Sequence, residues 1–283
     1  MTQIDFLKMH GAGNDFVLVD LYRSPYDNVD WSEFAKYACN RHFGIGADGV
    51  LLVKGCPGVD LEMIMYNPDG SQAEMCGNGL RCFAKFLRDQ ERVLDDRVSV
   101  STGGGSRWFQ VTKNSGQQST VSVGMGCPQF SPKEIPAQHP EAEIVNQTLQ
   151  VGHDEIVITS VGMGNPHAVT LVESVQRFDL MQMGPLVERH PMFPAGTNFE
   201  IYEVVGPNEL KMKVWERGAG MTLACGSGAA ATVAAAIVTG QASAGNVFLQ
   251  TDGGQLLVEW DGPGNELIMS GPAVTVFSGT CVI

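Results

Sequence analysis

The sequence predicts an α+β fold of two pseudo-symmetric lobes, each a curved, mostly antiparallel sheet or barrel around a central helix. Three observations predict it. The chain carries an internal repeat at constant spacing, each copy ends in a helix with no strong polar stripe, and the rest is rich in short strand-like segments bounded by Gly, Pro or Asn.

The repeat comes first. Residues 61–67 read LEMIMYN and residues 210–216 read LKMKVWE, so that at an offset of 149 Leu61 falls on Leu210, Met63 on Met212, Met65 on Val214 and Tyr66 on Trp215. The same offset carries Cys76 onto Cys225, Gly77 onto Gly226 and Gly79 onto Gly228. Upstream, Gly13-Asn14 resembles Gly164-Asn165 at a nearly equal spacing. Each copy is a strand ending at a polar residue, Asn67 or Glu216, then a turn-rich loop, then CGNG or CGSG, then a helix. The helices read GLRCFAKFL and GAAATVAAAIV; the second is apolar almost all round, the pattern of a helix buried on most sides, and its small side chains let a surrounding wall come close.

Strand candidates occupy 16–20, 50–53, 98–101, 119–123, 155–161, 168–172, 255–260 and 273–277, and surface helices are expected near 31–39 and 178–189. The lobes are expected at 1–120, with a returning tail at 271–283, and at 121–270, with the active site in the cleft between them.

Composition bounds the function. With 283 residues, 43% of them hydrophobic, the chain can bury one large core or two modest ones. Its net charge of −13 disfavours nucleic acid and anionic membrane surfaces as partners, and an anionic substrate needs local positive groups. The N-terminal MTQIDFLKMH has no apolar signal region, and the most apolar run, 229–238, is too short to span a bilayer, so a soluble cytoplasmic protein is expected. Seven cysteines, an odd number with no CxxC pair and no zinc-like spacing, fit a reduced compartment and no metal site. Cys39, Cys56, Cys82, Cys127 and Cys281 are expected to be structural, mostly small buried hydrophobes.

Cys76 and Cys225 are different because the repeat places each where the chain enters a helix. A helix start offers unpaired N–H groups and partial positive charge, which bind a carboxylate and favour a thiolate. Gly77-Asn78-Gly79 and Gly226-Ser227-Gly228 are therefore expected to receive an α-carboxylate, with one thiolate removing the α-proton and the opposite thiol delivering a proton to the other face. The α-C–H of an amino acid is a very weak acid, and preorganised N–H dipoles stabilise the charge that develops on its carboxylate. A phosphate cradle is the poorer account of CGNG, since no GK[ST] follows. GAGND at 11–15 and GIGAD at 44–48 read as turns. Arg217 and Glu216 fit a carboxylate clamp beside an ammonium acceptor better than a solvated pair. His167 is either a core histidine or a partner for a thiol.

MHGAGNDFVLVD (9–20), NPDGSQAEMCGNGLRCFAK (67–85), GNPHAV (164–169), GTNFE (196–200) and ERGAGMTLACGSGAAA (216–231) together resemble the diaminopimelate epimerase family, in order and over nearly the whole chain. The resemblance implies interconversion of LL- and meso-diaminopimelate for lysine and peptidoglycan precursor synthesis. It implies no pyridoxal phosphate, no metal or other cofactor, a two-lobed fold and commonly a homodimer. It assigns catalysis to Cys76 and Cys225, and α-carboxylate binding to Gly77, Asn78, Gly226 and Ser227. It assigns substrate recognition to Asn14, Asn67, Asn165, Asn198, Glu216 and Arg217, and tuning of the thiols to His167 and Glu216. One position departs: GIGADG has Gly49 where some members carry glutamine.

The nearest alternative is a proline racemase or hydroxyproline epimerase with the same thiol pair. Those substrates have no distal amino-acid end for Arg217, Asn67, Asn165 and Asn198 to hold. A non-catalytic binding protein or a thiol redox switch is the alternative of another class, and a pseudoenzyme is expected to have lost a thiol.

Overall fold

The computed structural model describes residues 2–24, 26–56, 59–93 and 97–283, without the side chains of 56, 59 and 60. The chain divides into two compact units, Met1–Gly124 with Ser270–Ile283, and Met125–Met269.

The first unit contains β1 (Gln3–Gly11), β2 (Asn14–Asp20), α1 (Trp31–Cys39), β3 (Gly49–Cys56), β4 (Val59–Tyr66), β5 (Gln72–Ala73), α2 (Gly77–Asp89), β6 (Val98–Thr102), β7 (Gly105–Ser115) and most of β8 (Gln118–Gly126). The second contains β9 (Gln147–Val151), β10 (Asp154–Gly162), β11 (Pro166–Leu171), α3 (Leu180–Glu188), β12 (Asn198–Gly206), β13 (Glu209–Glu216), β14 (Gly220–Thr222), α4 (Gly226–Val238), β15 (Gly245–Thr251) and β16 (Gly254–Trp260). The long β17 (Leu267–Val282) returns the chain to the first unit, pairing antiparallel with β1.

The two units share one pairing scheme, which is the repeat expressed as topology. In the first, β1 pairs antiparallel with β2, β2 parallel with β3, β3 antiparallel with β4, β4 antiparallel with β5 and parallel with β6, and β6 antiparallel with β7. In the second, the same series runs β10, β11, β12, β13, β14, β15 and β16. The register is preserved to the residue: Phe16 pairs with Gly49, and His167 with Asn198, 149 residues after Gly49. The α2 span of 77–89 maps at the same offset onto 226–238 of α4.

Each sheet carries a helix on both faces of its central strands. In the first unit α2 packs on β1, β2, β3, β4 and β7, while Phe34, Ala35 and Ala38 of α1 join Val17, Val19, Val50 and Leu52 in a core on the other face. In the second, α4 packs on β10 to β13, β15 and β16, while Leu180 and Val187 of α3 join Ile158, Phe199 and Ile201. Double-sided burial explains why 16–19 (FVLV) and 50–53 (VLLV) are continuous apolar runs, whereas β13, β15 and β16 alternate. It also fixes direction: with Val50 and Leu52 facing α1, Leu51 faces α2, and with Phe199 and Ile201 facing α3, Glu200 faces α4. Ala229 to Ala236 of α4 are all buried, and their small side chains let the sheet close round the helix. A sheet that touches its helix with five or six strands is necessarily curved.

The expected strands and both surface helices are present, and β1, β5, β7, β9, β12, β14 and β15 add to them, with β5 and β14 inside the two segments read as turn-rich loops. The GAGND turn joins β1 to β2 through Ala12 and Gly13, both at positive φ (53° and 81°), as a tight hairpin of this hand requires. Among the spare cysteines, Cys39 and Cys82 are buried, as expected of most of them, Cys281 is half-buried and Cys127 is exposed. Cys127 lies in the connection after β8, where nothing covers it. The side chain of Cys56 lies outside the described residues.

Candidate active site

Cys76 and Cys225 are the N-caps of α2 and α4. Both have extended backbone (φ −142°, ψ 114° and φ −115°, ψ 120°), and each sulfur accepts the third free N–H of its helix, from Gly79 and Gly228, at 3.4 Å. Ser, Thr, Asp or Asn usually fills this position. A thiol there sits where a helix best supports negative charge. Gly77, Asn78 and Gly226 are buried, and Ser227 is half-buried.

The surroundings of the two caps differ. At Cys76 the thiol donates to Asn14 Oδ1 (3.7 Å), which also accepts from Asn78 Nδ2 (3.2 Å). Asn14 Nδ2 donates to Asp48 Oδ2 (2.9 Å), and Asn78 Oδ1 accepts from Arg81 Nη2 (2.7 Å). This chain has a direction set by its ends: a guanidinium only donates and a carboxylate only accepts, so both amides are oriented without ambiguity. Arg81 is fully buried on the inner face of α2, also donating through Nε to Pro272 O (3.3 Å). Burial pulls its guanidinium down to about 10, with Cys82 and Cys76 partly opposing the fall. Asp48 is held by Arg41 (2.7 Å), which also binds Asp15 (2.7 Å), and Asp15 meets Lys8 at 2.5 Å. Burial raises the Asp15 carboxyl, but the hydrogen bonds it accepts from Arg41 and Lys8 outweigh this and leave the carboxyl below the usual range.

At Cys225 the neighbours are acidic. Ser227 Oγ lies 3.5 Å from the sulfur. Ser227 accepts from Asn165 Nδ2 (3.3 Å), Asn165 Oδ1 faces His167 Nε2 (3.0 Å), and His167 Nδ1 meets Glu200 Oε1 at 2.7 Å. His167 and Glu200 are both fully buried. Glu216 hydrogen-bonds both Thr222 and Cys225, and burial pushes its carboxyl up despite those two bonds. Cys225 is pushed well above the usual thiol value, chiefly by burial and then by Glu216 and Glu200; the Ser227 hydroxyl and Gly228 N–H pull the other way and are outweighed. The expectation that a helix start alone favours thiolate is therefore corrected here: two nearby carboxylates and a buried sulfur overrule a few N–H dipoles.

The other expected residues fall as follows. Asn198, at the start of β12, bridges Pro166 O (2.9 Å) and the Arg217 N–H (2.9 Å), so it joins the His167 strand to the turn that carries Arg217. The Arg217 side chain is exposed and donates to Ala195 O (3.1 Å). Asn67 is half-buried in the loop after β4, donating to Ser71 Oγ (3.0 Å). Gly49 is the counterpart of Asn198, and a Cβ built on it would lie 3.0 Å from Met65 Cε and Tyr66 O, so a longer side chain there requires the wall to shift. Among the described residues no three His, Cys, Asp or Glu side chains converge with metal-ligand spacing, and no helix is long and apolar enough to cross a membrane.

Glu200, Arg81 and Asp48 escaped sequence reasoning. Two signals were present: Glu200 is a lone charge in the apolar run FEIY, and Arg81 and Lys85, four apart, are cations on a helix whose every residue from Gly77 to Leu87 is buried.

A model of the family described as diaminopimelate epimerase matches residues 6–131 and 159–276. The chain is 43% identical over 274 residues to the diaminopimelate epimerase of Pelotomaculum thermopropionicum, covering 97% of each. It is 45% identical over 283 residues to that of a Synechocystis strain, covering 99% of each. Among solved structures, a hydroxyproline epimerase from Agrobacterium vitis superposes with a TM-score of 0.70 at 15% identity, covering 98% of this chain and 92% of that one. A PhzF-family protein from Bacillus anthracis gives 0.69 at 15%, covering all of both. These distant structures share the fold alone. With the repeat, its two cysteine caps and near-complete coverage at over 40% identity, the chain belongs to the diaminopimelate epimerase family.

Proposed function

We propose that this protein interconverts LL- and meso-diaminopimelate by cofactor-independent 1,1-proton transfer between Cys76, Cys225 and the substrate α-carbon, serving lysine and peptidoglycan precursor synthesis. The observation that carries this is a thiol at the N-cap of each repeated helix, bonded to the third N–H at the same 3.4 Å in both copies, within a family of this activity. One sulfur, as thiolate, abstracts the α-proton; the other, as thiol, supplies a proton to the opposite face.

The α-carboxylate is received by N–H groups at Gly77, Asn78, Gly226 and Ser227. These dipoles are fixed before the reaction and need no reorganisation as charge develops. Asn14 and Asn165 are already aligned by their networks, and Asn67 and Asn198 complete an amide set able to donate to carboxylate and accept from ammonium. Arg217 holds the distal carboxylate with its planar fork and Glu216 faces an ammonium. His167 and Glu216 tune Cys225. The protein acts in the cytoplasm as a homodimer.

The test is exchange of the α-proton of LL-diaminopimelate in deuterated water with no cofactor added, followed by appearance of the meso isomer. Turnover of proline with none of diaminopimelate would transfer the chain to the related racemases.

A further inference from the structure

We propose that Glu200 is a positioning residue for the second thiol: it keeps the proton on Cys225 between turnovers and, through His167 and Asn165, orients Ser227 beside it. This rests on Cys225 being a reacting group.

Glu200 sits on the inner face of β12, fully buried. Burying a carboxylate is costly unless it is paired and hydrogen-bonded. One oxygen is provided for: Oε1 meets His167 Nδ1 at 2.7 Å and abuts the first turn of α4 so closely that a Cβ on Gly228 would stand 2.5 Å from it. Glycine at 228 is what lets the carboxylate reach the helix start. The other oxygen, Oε2, is buried with no hydrogen-bond partner among the described residues, so the charge is only half compensated. Its field falls on the two titratable groups beside it, Cys225 and Glu216; burial is the main cause that raises both, and Glu200 adds to it.

Packing does not require this carboxylate. The same position in the first unit is Leu51, whose methyl lies 3.0 Å from a Cβ built on Gly79. His167 likewise stands where the first unit has Phe16. One scaffold thus solves the same contact with two apolar side chains in one copy and a buried ionisable pair in the other.

Among the described residues, the groups that act most strongly on Cys225 are Glu216 from β13, Glu200 from β12, and Ser227 and Gly228 from α4; His167 on β11 reaches it through Glu200 and Asn165. Of these, the two carboxylates hold the proton on sulfur, while the hydroxyl and N–H favour its loss. Removing Glu200's charge therefore shifts the balance toward thiolate.

The experiment follows the rate of alkylation of Cys225 by iodoacetamide against pH, by peptide mass, reading the midpoint rather than the absolute rate. It compares the wild-type protein with Glu200→Gln, Glu200→Leu and Glu200→Asp. The midpoint should fall by about one pH unit or more in the first two, the size expected for loss of a close like charge, and Glu200→Asp should recover part of it. In folded Gln and Leu variants, kcat should drop about tenfold with a displaced pH profile while KM changes little. An unchanged Cys225 midpoint in a folded Gln or Leu variant overturns the proposal. If neither variant keeps its native circular dichroism, the wild type decides: a Cys225 midpoint at or below that of an ordinary thiol, about 8.5, also overturns it. Alkylation needs no substrate, so a wild type inert toward diaminopimelate would sink the proposed function and leave this comparison standing.

Discussion

The surroundings of Cys76 and Cys225 start from the same backbone and reach opposite electrostatics. Both thiols cap a 13-residue helix and both accept from the glycine three residues on. Beneath Cys76 lies Arg81, a buried guanidinium from the helix itself, feeding a chain of oriented amides that ends on Asp48. The equivalent of Arg81 in α4 is Ala230, and the charge near Cys225 comes instead from the sheet, as Glu200 and Glu216. The duplication supplied two caps, and the inward residues of strand and helix then made one surrounding cationic and the other anionic. In the proposed two-thiol reaction one sulfur holds a proton while the other lacks it, and unequal surroundings suit that division.

The sharpest way to break the comparison is to remove each thiol. Cys76→Ala and Cys225→Ala should each lower epimerisation by roughly 10²–10⁴-fold, the range for loss of one general acid–base group, with the fold retained in both. Cys82→Ala should remain active, because Cys82 is buried on α2 with a thiol pushed up to about 12 by burial. Substantial epimerisation by either cap variant in a coupled isotope assay would show that the two copies are not both required.

Arg217 tests whether the second copy alone carries the distal-end clamp. Lysine keeps the charge and loses the fork, so Arg217→Lys should reduce kcat/KM by about 10- to 150-fold, corresponding to roughly 1.5–3 kcal/mol for a charged hydrogen bond. Wild-type kinetics would leave Arg217 as the exposed residue it is, its side chain donating to Ala195 O.

Arg81 tests the other copy. Arg81→Met should destabilise the protein by about 3 kcal/mol, since Asn78 Oδ1 and Pro272 O lose a buried charged donor. The loss would be measured by chemical denaturation. A variant as stable as the wild type would mean that the oriented amides at Cys76 do not depend on the guanidinium.

Much of this was legible in the sequence, for identifiable reasons. The repeat held because strand, loop and cap keep a gapless register, and the helices were visible because burial on all sides erases a polar stripe. β12 was not visible: Asn198-Phe199-Glu200 breaks an apolar run with a charge, which hides the strand until its inward face is known to lie against α4. The raised Cys225 thiol was hidden for the same reason. Helix position is written in sequence, but the carboxylates that overrule it come from β12 and β13, 25 and 9 residues away from the cap. Asp48 and Arg41 lay in GIGAD and its approach, where a glycine-rich turn conceals an ion-pair network.

That network provides the smallest and most conditional effect, and its pH dependence has a definite sign. Asp15 is held below its ordinary value by Arg41 and Lys8, which outweigh the effect of burial. A carboxylate with a depressed folded pKa stabilises the protein above its unfolded pKa, about 3.9. That contribution is lost as pH falls through the folded value. Asp15→Asn removes the charge at every pH, so the stability gap between variant and wild type should be widest near neutrality, on the order of 1–2 kcal/mol for the lost charged bonds. It should narrow as pH falls from about 3.9, the unfolded value, through the lower folded value, below which the wild-type carboxyl is also neutral. No comparable acid limb is expected from Glu216 in the second unit: its carboxyl is raised rather than lowered, so its protonation on acidification favours the fold. Urea denaturation of Asp15→Asn and Glu216→Gln between pH 3 and 7 would check both. A gap for Asp15→Asn that stays constant across that range would mean that the ion pairs seen at Asp15 contribute nothing to stability. The Cys76 side would then rest on its oriented amides alone.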